Sequence, residues 1–324
     1  MICYIIYGII EIIIKYKVTQ GGQSMNMKKL LTFEDMGLVQ WGVLNEEETG
    51  VYSAIALEEA FFTPFPETLL EFIRQGNDGL LALADALEQN EKEGAIEAKP
   101  LDTIRILAPI PHAERNIFCI GKNYTEHIVE FDKTTTPDIP KYPIIFTKAT
   151  SSIIGPEDLI NPHKNVTSEL DYEGELAVII GKSDSDIPIS EAMDYVYGFT
   201  ILNDVTARDL QRNHSQWFHG KSLDTFCPMG PYILLRDAAP DNFDVITKVN
   251  NEVRQDGSTG EFIFTIPQLI TTISQGTTLQ AGDIIATGTP SGVGVGFNPP
   301  RYLHSGDCVE ISISDIGTLK NKVK

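Results

Sequence analysis

Cysteine is scarce in this 324-residue sequence, and the four that occur do not form a recognisable motif. Cys3, Cys119, Cys227 and Cys308 are scattered along the chain, and there is no C-x-x-C pair. A small disulfide framework is therefore excluded. This cysteine usage fits a protein of the reducing cytoplasm, which is the location we predict.

Basic residues are also few, because 25 lysines and arginines stand against 45 acidic residues, a formal net charge of −20. Such a charge argues against nucleic acid as a partner and against stable association with an anionic membrane surface. A small anionic ligand would need a local positive site or a metal ion to bind.

The sequence lacks an apolar run long enough to span a bilayer, which takes ~20 residues. The N-terminal stretch Met1–Lys17 is apolar but contains Glu11, has no basic leading region and has no small-residue cleavage site. We interpret residues 1–26 as an over-extended start or a disordered segment, with the true start near Met25 or Met27. A weak membrane-associating segment is the rival interpretation.

Residues 27–103 have the pattern of a small N-terminal α/β domain, and residues 104–324 change to short strands and turns. In the first region the pattern predicts two strands and two helices: Leu38–Leu44, Val51–Leu57, a helix from near Pro66 to before Gly76, and a helix from about Leu80 to Glu91. The polar stretch 89–99 is typical of a linker.

Two glutamates, Glu173 and Glu175, stand at the entrance of the apolar, β-branched run Leu176–Ile180. Residues i and i+2 of a strand point to the same side, so the two carboxylates converge. A hard divalent cation would neutralise them, although a solvated sheet edge explains the pair equally well. Asp204 ends the next predicted strand and is the candidate third carboxylate.

Several other polar residues form patterns with a possible chemical use. His127 and Glu130 are three apart on a predicted helix, the spacing of a carboxylate-oriented general base or of a surface ion pair. Lys148 ends a strand, and Lys221 lies in a turn-rich loop; each lysine could serve an anionic ligand or be solvated. Arg208 and Gln211 share one face of a helical turn.

Two familiar motifs are absent or incomplete. No H-E-x-x-H is present, so a zinc protease is excluded. The glycine-rich run Thr287–Gly296 is followed by Phe-Asn-Pro-Pro, which prevents the helix that a dinucleotide site requires. We expect instead a loop that approaches a small ligand closely, with Thr289 as a hydrogen-bond donor.

Taken together, these motifs resemble the fumarylacetoacetate hydrolase family over roughly Ala108 to the C-terminus. The resemblance rests on the following segments: Cys119–Tyr124, His127 with Glu130, Asp171–Leu176, Asn203–Asp209, Lys221–Asp224 and Thr287–Pro290. It is closest to the branch of bacterial oxaloacetate decarboxylases and acylpyruvate hydrolases, some of which carry a small extra N-terminal domain. Lys122 departs from the arginine that many members have there.

The resemblance implies an α+β, β-rich fold, a mixed β-sandwich or roll, and a homodimer. It implies Mg²⁺ or Mn²⁺ held by Glu173, Glu175 and Asp204. The catalytic residues implied are His127, Glu130 and Lys221. The residues implied near the substrate are Lys148, Arg208, Gln211 and Thr289.

The predicted reaction is metal-dependent cleavage of a C–C bond in a small 2-oxoacid through an enolate. Oxaloacetate decarboxylation, a lyase reaction, is favoured. Hydrolysis of an acylpyruvate or fumarylacetoacetate is the alternative, as is an isomerase reaction of the 5-carboxymethyl-2-hydroxymuconate type. A metal-bound regulatory or binding protein is the alternative of a different class.

Overall fold

The structure, a computed structural model, describes residues 27–132 and 138–324. The predicted start segment 1–26 lies outside the described residues. Within them the fold is mixed α+β and rich in strands, which confirms the predicted class. The strands are β1 (Lys29–Asp35), β2 (Leu38–Leu44), β3 (Gly50–Ser53), β4 (Lys99–Pro100), β5 (Arg105–Ile106), β6 (Ile117–Gly121), β7 (Ile144–Lys148), β8 (Ile153–Ile154), β9 (Leu159–Ile160), β10 (Leu170–Asp171), β11 (Gly174–Ile180), β12 (Val196–Asn203), β13 (Thr206–Ala207), β14 (Cys227–Leu235), β15 (Asp244–Val249), β16 (Glu252–Ser258), β17 (Ile284–Ala286), β18 (Cys308–Ile313) and β19 (Gly317–Val323). The helices are α1 (Ala54–Phe61), α2 (Leu69–Glu93), α3 (Thr125–Asp132), α4 (Arg208–Asn213), α5 (Phe218–Lys221) and α6 (Ile266–Ser274).

A large sheet runs through the molecule in the order β4-β3-β2-β1-β14-β12-β11-β17-β6-β7, with β5 paired to β1 and β8 to β14. A second sheet has the order β16-β15-β18-β19-β9. The long hairpin β15–β16 forms where the sequence places Asn250-Asn251, two residues at positive φ. Asparagine tolerates that conformation better than most residues do.

Strand β11 lies at the centre of the core, which explains its uninterrupted apolar sequence. Leu176 and Val178 belong to a buried cluster that includes Ile311 of the second sheet. Ala177 and Ile179 point the other way, into the cluster that contains Phe72 of α2. Because both faces are covered, the strand does not alternate between apolar and polar residues.

The N-terminal region differs in two details from the sequence prediction. The predicted strand Val51–Leu57 ends at Ser53, whose Oγ accepts a hydrogen bond from the N–H of Ala56 and starts α1. The two predicted helices join into α2, which is interrupted at Gly76 (φ +56°, ψ −133°).

The same region is hydrogen-bonded into the large sheet. Strand β1 runs antiparallel to β14, with Lys29 opposite Leu234. The boundary between domains 27–103 and 104–324 stays a prediction. No helix of 27–132 or 138–324 is long and apolar enough to cross a membrane.

Candidate metal and substrate site

Three carboxylates meet at one edge of the large sheet, where β11 begins and β12 ends. The antiparallel register pairs Gly174 with Asn203, and the N–H of Asp204 donates to the carbonyl of Glu173 at 2.9 Å. Oxygen atoms of Glu173, Glu175 and Asp204 lie within 4.8 Å of one another, and all three residues are buried. The structure therefore brings together the three residues that the sequence proposed as ligands.

Two of the three carboxylates are held by buried cations. Lys221 Nζ donates to Glu173 Oε2 at 2.8 Å and to Asp204 Oδ2 at 2.7 Å. Arg208 Nη1 lies 2.6 Å from Glu173 Oε1. Glu175 differs, because its one hydrogen bond comes from the N–H of Gly288 (2.9 Å) and no cationic nitrogen of the described residues is within ion-pair distance.

The two glutamates consequently have opposite pKa shifts. Burial acts to raise the pKa of Glu173, but the Lys221 and Arg208 cations outweigh it and lower that pKa to about 2. Burial raises the pKa of Glu175 well above its usual value, and the neighbouring Asp204 and Glu173 charges raise it further. For Lys221, burial acts to lower the pKa, but Asp204 and Glu173 reverse it to a net increase.

The donor set fits a hard divalent cation. All three groups offer carboxylate oxygen, which Mg²⁺ and Mn²⁺ prefer, and no histidine or cysteine ligand of the described residues joins the cluster. Glu175 in particular is a buried carboxylate that forms no ion pair with the residues of 27–132 and 138–324.

Lys148 lies against Asp204, and its predicted place near the substrate stays a prediction. It is fully buried, and its Nζ donates to Asp204 Oδ1 at 2.6 Å and to the carbonyl of Val205 at 3.0 Å. It is absent from the residues that line the cavity. Lys148 thus compensates the charge of Asp204 from outside the cavity lining.

This placement predicts the effect of Lys148→Met. Removing one partner of a buried ion pair leaves part of the Asp204 charge uncompensated, so we expect the free energy of unfolding of the metal-free protein to fall by about 3 kcal/mol. Chemical denaturation measures the change. Lys29→Met is the control, because the Glu48 side chain of its ion pair is 46% exposed and should contribute under ~1 kcal/mol. Equal decreases in the free energy of unfolding of Lys148→Met and Lys29→Met would contradict a stabilising buried ion pair between Lys148 and Asp204.

Arg208, Gln211 and Thr289 do line the cavity. Arg208 Nη1 also donates to Gln211 Oε1 at 3.2 Å, as their spacing on α4 predicts. The Thr289 hydroxyl, expected to donate to a ligand, instead donates to the carbonyl of Gly174 (2.9 Å). It accepts from Gln255 Nε2 at 2.7 Å, so Gln255 is a supporting residue that the sequence did not indicate.

His127 and Glu130 lie on the inner face of α3. His127 Nδ1 and Glu130 Oε1 are 3.8 Å apart, close enough to interact electrostatically but too far for a hydrogen bond. Both atoms are buried without a hydrogen-bond partner among the described residues. Glu130 is anchored by its other oxygen, which accepts from the N–H of Gly292 at 2.6 Å.

The glycine-rich segment 287–296 binds carboxylates of the protein through its backbone amides. Gly288 N–H donates to Glu175, Gly292 to Glu130, and Gly294 and Val295 to Asp171. Gly292 has φ +100°, and a Cβ there would lie 1.8 Å from the carbonyl oxygen of Arg254. The segment therefore approaches the protein's own backbone closely, and its approach to a small ligand stays a prediction.

A cleft opens onto these groups, and the space inside it together with its open mouth is about 380 Å³. Its lining combines charged and polar side chains with aromatic rings. The lining residues are Ile120, Gly121, Lys122, His127, Phe131, Phe146, Glu173, Glu175, Arg208, Gln211, Trp217, Lys221 and Thr289. The site can hold a small anion beside a divalent cation.

Comparisons with known proteins agree on one family. A family model described as fumarylacetoacetate (FAA) hydrolase C-terminal matches residues 116–324. Oxaloacetate tautomerase YisK of Bacillus subtilis (strain 168) is 49% identical over 265 residues, covering 80% of this chain and 87% of that protein.

Solved structures give the same result. A fumarylacetoacetate hydrolase from psychrophilic Exiguobacterium antarcticum is 42% identical with a TM-score of 0.74, covering 92% of this chain and 99% of that one. Maleylpyruvate hydrolase from Sphingobium sp. SYK-6, solved with manganese(II) and pyruvate, is 29% identical with a TM-score of 0.71, covering 91% and 98%. The residues matched by the family model include Glu173, Glu175 and Asp204.

Proposed function

The chain belongs to the fumarylacetoacetate hydrolase family, as its motifs predicted, and on this basis we propose that it is a divalent-cation-dependent enzyme acting on oxaloacetate. One observation carries the proposal: Glu173 and Glu175 of a buried all-carboxylate triad line a small cavity together with the cations Lys221 and Arg208, and the third carboxylate, Asp204, is bonded to Lys221. A cation at the triad and these side chains suit a small 2-oxoacid with two carboxylates. The likeness to the Bacillus tautomerase favours keto–enol interconversion as the first reaction to test.

Each residue has a proposed task in that reaction. Glu173, Glu175 and Asp204 would hold Mg²⁺ or Mn²⁺, which would supply Lewis-acid polarisation of the substrate's keto oxygen. Lys221, fixed by Glu173 and Asp204, would stabilise negative charge as it develops on that oxygen.

Proton transfer is assigned to His127, oriented by Glu130. The imidazole would accept the proton from C3 of the keto form, and the resulting imidazolium would give up a proton, directly or through water, to the C2 oxygen to complete the enol. The composition of the substrate is unchanged, so no co-reactant is needed. Arg208 and Gln211 would bind the second carboxylate, and Thr289 would shape the wall without donating to the ligand.

Decarboxylation of oxaloacetate is the second candidate. Here the C3–C4 bond breaks, CO₂ leaves with C4, and the electron pair remains at C3, which is then protonated to give pyruvate. The Sphingobium hydrolase was solved in complex with pyruvate, which also supports acylpyruvate hydrolysis by water activated at His127.

A substrate panel tests these alternatives. We expect the purified protein with Mg²⁺ or Mn²⁺ to accelerate loss of the ultraviolet absorbance of enol-oxaloacetate, with slower release of pyruvate in a lactate dehydrogenase assay. Chelation should abolish both signals. Acetylpyruvate and a hydroxymuconate-type substrate complete the panel. No turnover of any substrate with either metal would overturn the enzyme proposal and favour a metal-bound regulatory or binding protein.

We also propose the homodimer that the family resemblance implies. Sedimentation velocity measures it directly, and a single species of one-chain mass would contradict it. The predicted cytoplasmic location remains part of the same proposal.

A further inference from the structure

Asp171 is a fully buried carboxylate near the site that the mechanism above does not use. Each of its oxygens accepts two hydrogen bonds: Oδ1 from the N–H groups of Tyr172 (2.9 Å) and Gly294 (2.7 Å), and Oδ2 from Arg208 Nε (2.8 Å) and the N–H of Val295 (3.0 Å). It therefore connects the glycine-rich segment to Arg208.

One of the three guanidinium nitrogens of Arg208 makes no hydrogen bond to the described residues. Its Nε is held by Asp171, and its Nη1 by Glu173 and Gln211. Nη2 is buried and has no hydrogen-bond partner among the described residues, while Arg208 lines the cavity. Because a guanidinium group is planar, fixing Nε and Nη1 also fixes the direction of Nη2.

We infer that Asp171 is a positioning residue that holds Arg208 so that Nη2 binds the second carboxylate of a dicarboxylic substrate. This inference rests on the proposed function, because it assumes that oxaloacetate or a similar 2-oxo diacid occupies the cavity. Asp171 itself does not line the cavity, so it acts through Arg208. Asp171 would therefore affect which substrate binds, whereas Glu173, Glu175 and Asp204 would bind the cation.

Malate and lactate form a suitable pair of stable probes. Both are 2-hydroxy acids, and they differ in the second carboxylate, so the ratio of their affinities isolates its contribution. Calorimetry on the Mn²⁺-loaded wild-type protein should show malate binding at least about tenfold more tightly than lactate, as a charge-assisted hydrogen bond would give.

Two substitutions remove the positioning contact. Asp171→Asn is isosteric, but in either orientation its NH₂ faces two N–H donors. Asp171→Ala removes every acceptor. We expect the malate preference to fall about tenfold in both variants, with lactate and Mn²⁺ affinities changing less than about twofold. Oxaloacetate should show the loss mainly in KM rather than in kcat.

Asp283→Asn is the matched control. Asp283 also binds an arginine and a backbone amide, through Arg115 Nη1 and the N–H of Gln280 at 2.8 Å each, but it lies outside the cavity. The Asp283→Asn variant should keep the wild-type preference for malate over lactate. If one Asp171 variant does not fold, the other applies the test.

The outcomes separate the two proposals. An unchanged malate preference in a folded Asp171 variant overturns the inference, even if oxaloacetate is turned over. A wild-type protein that does not prefer malate overturns it as well. Absence of oxaloacetate turnover is a different result, which refutes the proposed function through the substrate panel.

Discussion

Replacing Glu175 with glutamine should stabilise the metal-free protein and abolish its response to Mn²⁺. Glu175 is buried beside two other carboxylates, and its one direct hydrogen bond is from a neutral amide. Its raised pKa means that ionisation of this group opposes folding at neutral pH. The neutral side chain should therefore raise the free energy of unfolding of the metal-free protein.

Glu173→Gln and Asp204→Asn should have the opposite effect on the metal-free protein. Each substitution removes the negative charge that compensates two buried cations, Lys221 and Arg208 in the first case and Lys221 and Lys148 in the second. The expected loss is about 3 kcal/mol for either variant. Glu175 is thus expected to destabilise the metal-free fold, whereas Glu173 and Asp204 are expected to stabilise it.

All three variants should lose the effect of the metal. Wild-type protein should gain ~2.7 kcal/mol of stability at a hundredfold excess of Mn²⁺ over its Kd, whereas the variants should gain little. Turnover of oxaloacetate should fall at least about 10³-fold in each, equivalent to ~4 kcal/mol of barrier. Thermal unfolding with and without Mn²⁺ measures the first effect. If any variant were stabilised by Mn²⁺ as much as the wild type, the proposal that all three carboxylates bind the metal would be wrong.

The ligands were predictable from the sequence because their positions follow from strand geometry. Glu173 and Glu175 are two residues apart beside a strand, and Asp204 ends its predicted neighbour, so pairing of the strands is sufficient to bring them together. Local strand geometry was enough in this case.

The supporting residues were not predictable, because long side chains connect segments distant in sequence. Lys148 reaches Asp204 across 56 positions, and Gln255 reaches Thr289 across 34. Asp171 was visible as part of a motif, but nothing local indicated that it would bind Arg208. Likewise, no local pattern in Lys29–Asp35 indicates that β1 continues the sheet of β14.

The glycine-rich segment 287–296 was only partly predictable from the sequence. Its composition correctly excluded a helix-opening nucleotide loop, since prolines follow it. Its backbone amides do bind anions, but those anions are the side chains of Glu175, Glu130 and Asp171. The sequence could indicate the conformation but not which carboxylates the fold would bring to it.

His127→Ala should separate proton transfer from metal binding. If the imidazole moves the C3 proton or activates water, tautomerisation and acylpyruvate hydrolysis should each slow by about 10²–10⁴-fold. Decarboxylation should slow less, because its bond-breaking step releases CO₂ without removing a proton from C3. Mn²⁺ affinity, measured by calorimetry, should stay within about twofold of wild type, since the three carboxylates are intact.

His304→Ala is the control for this substitution, because His304 also has an acidic neighbour three residues on, Asp307 at 4.0 Å, but its side chain is 82% exposed and outside the cavity. Its kinetics should match the wild type. Glu130→Gln should show a smaller loss than His127→Ala, because glutamine can still accept the hydrogen bond from Gly292 while it no longer supplies a charge beside Nδ1. Equal losses of decarboxylation and tautomerisation in His127→Ala would reject this division of tasks and place His127 in a step that both reactions share, such as binding of the substrate.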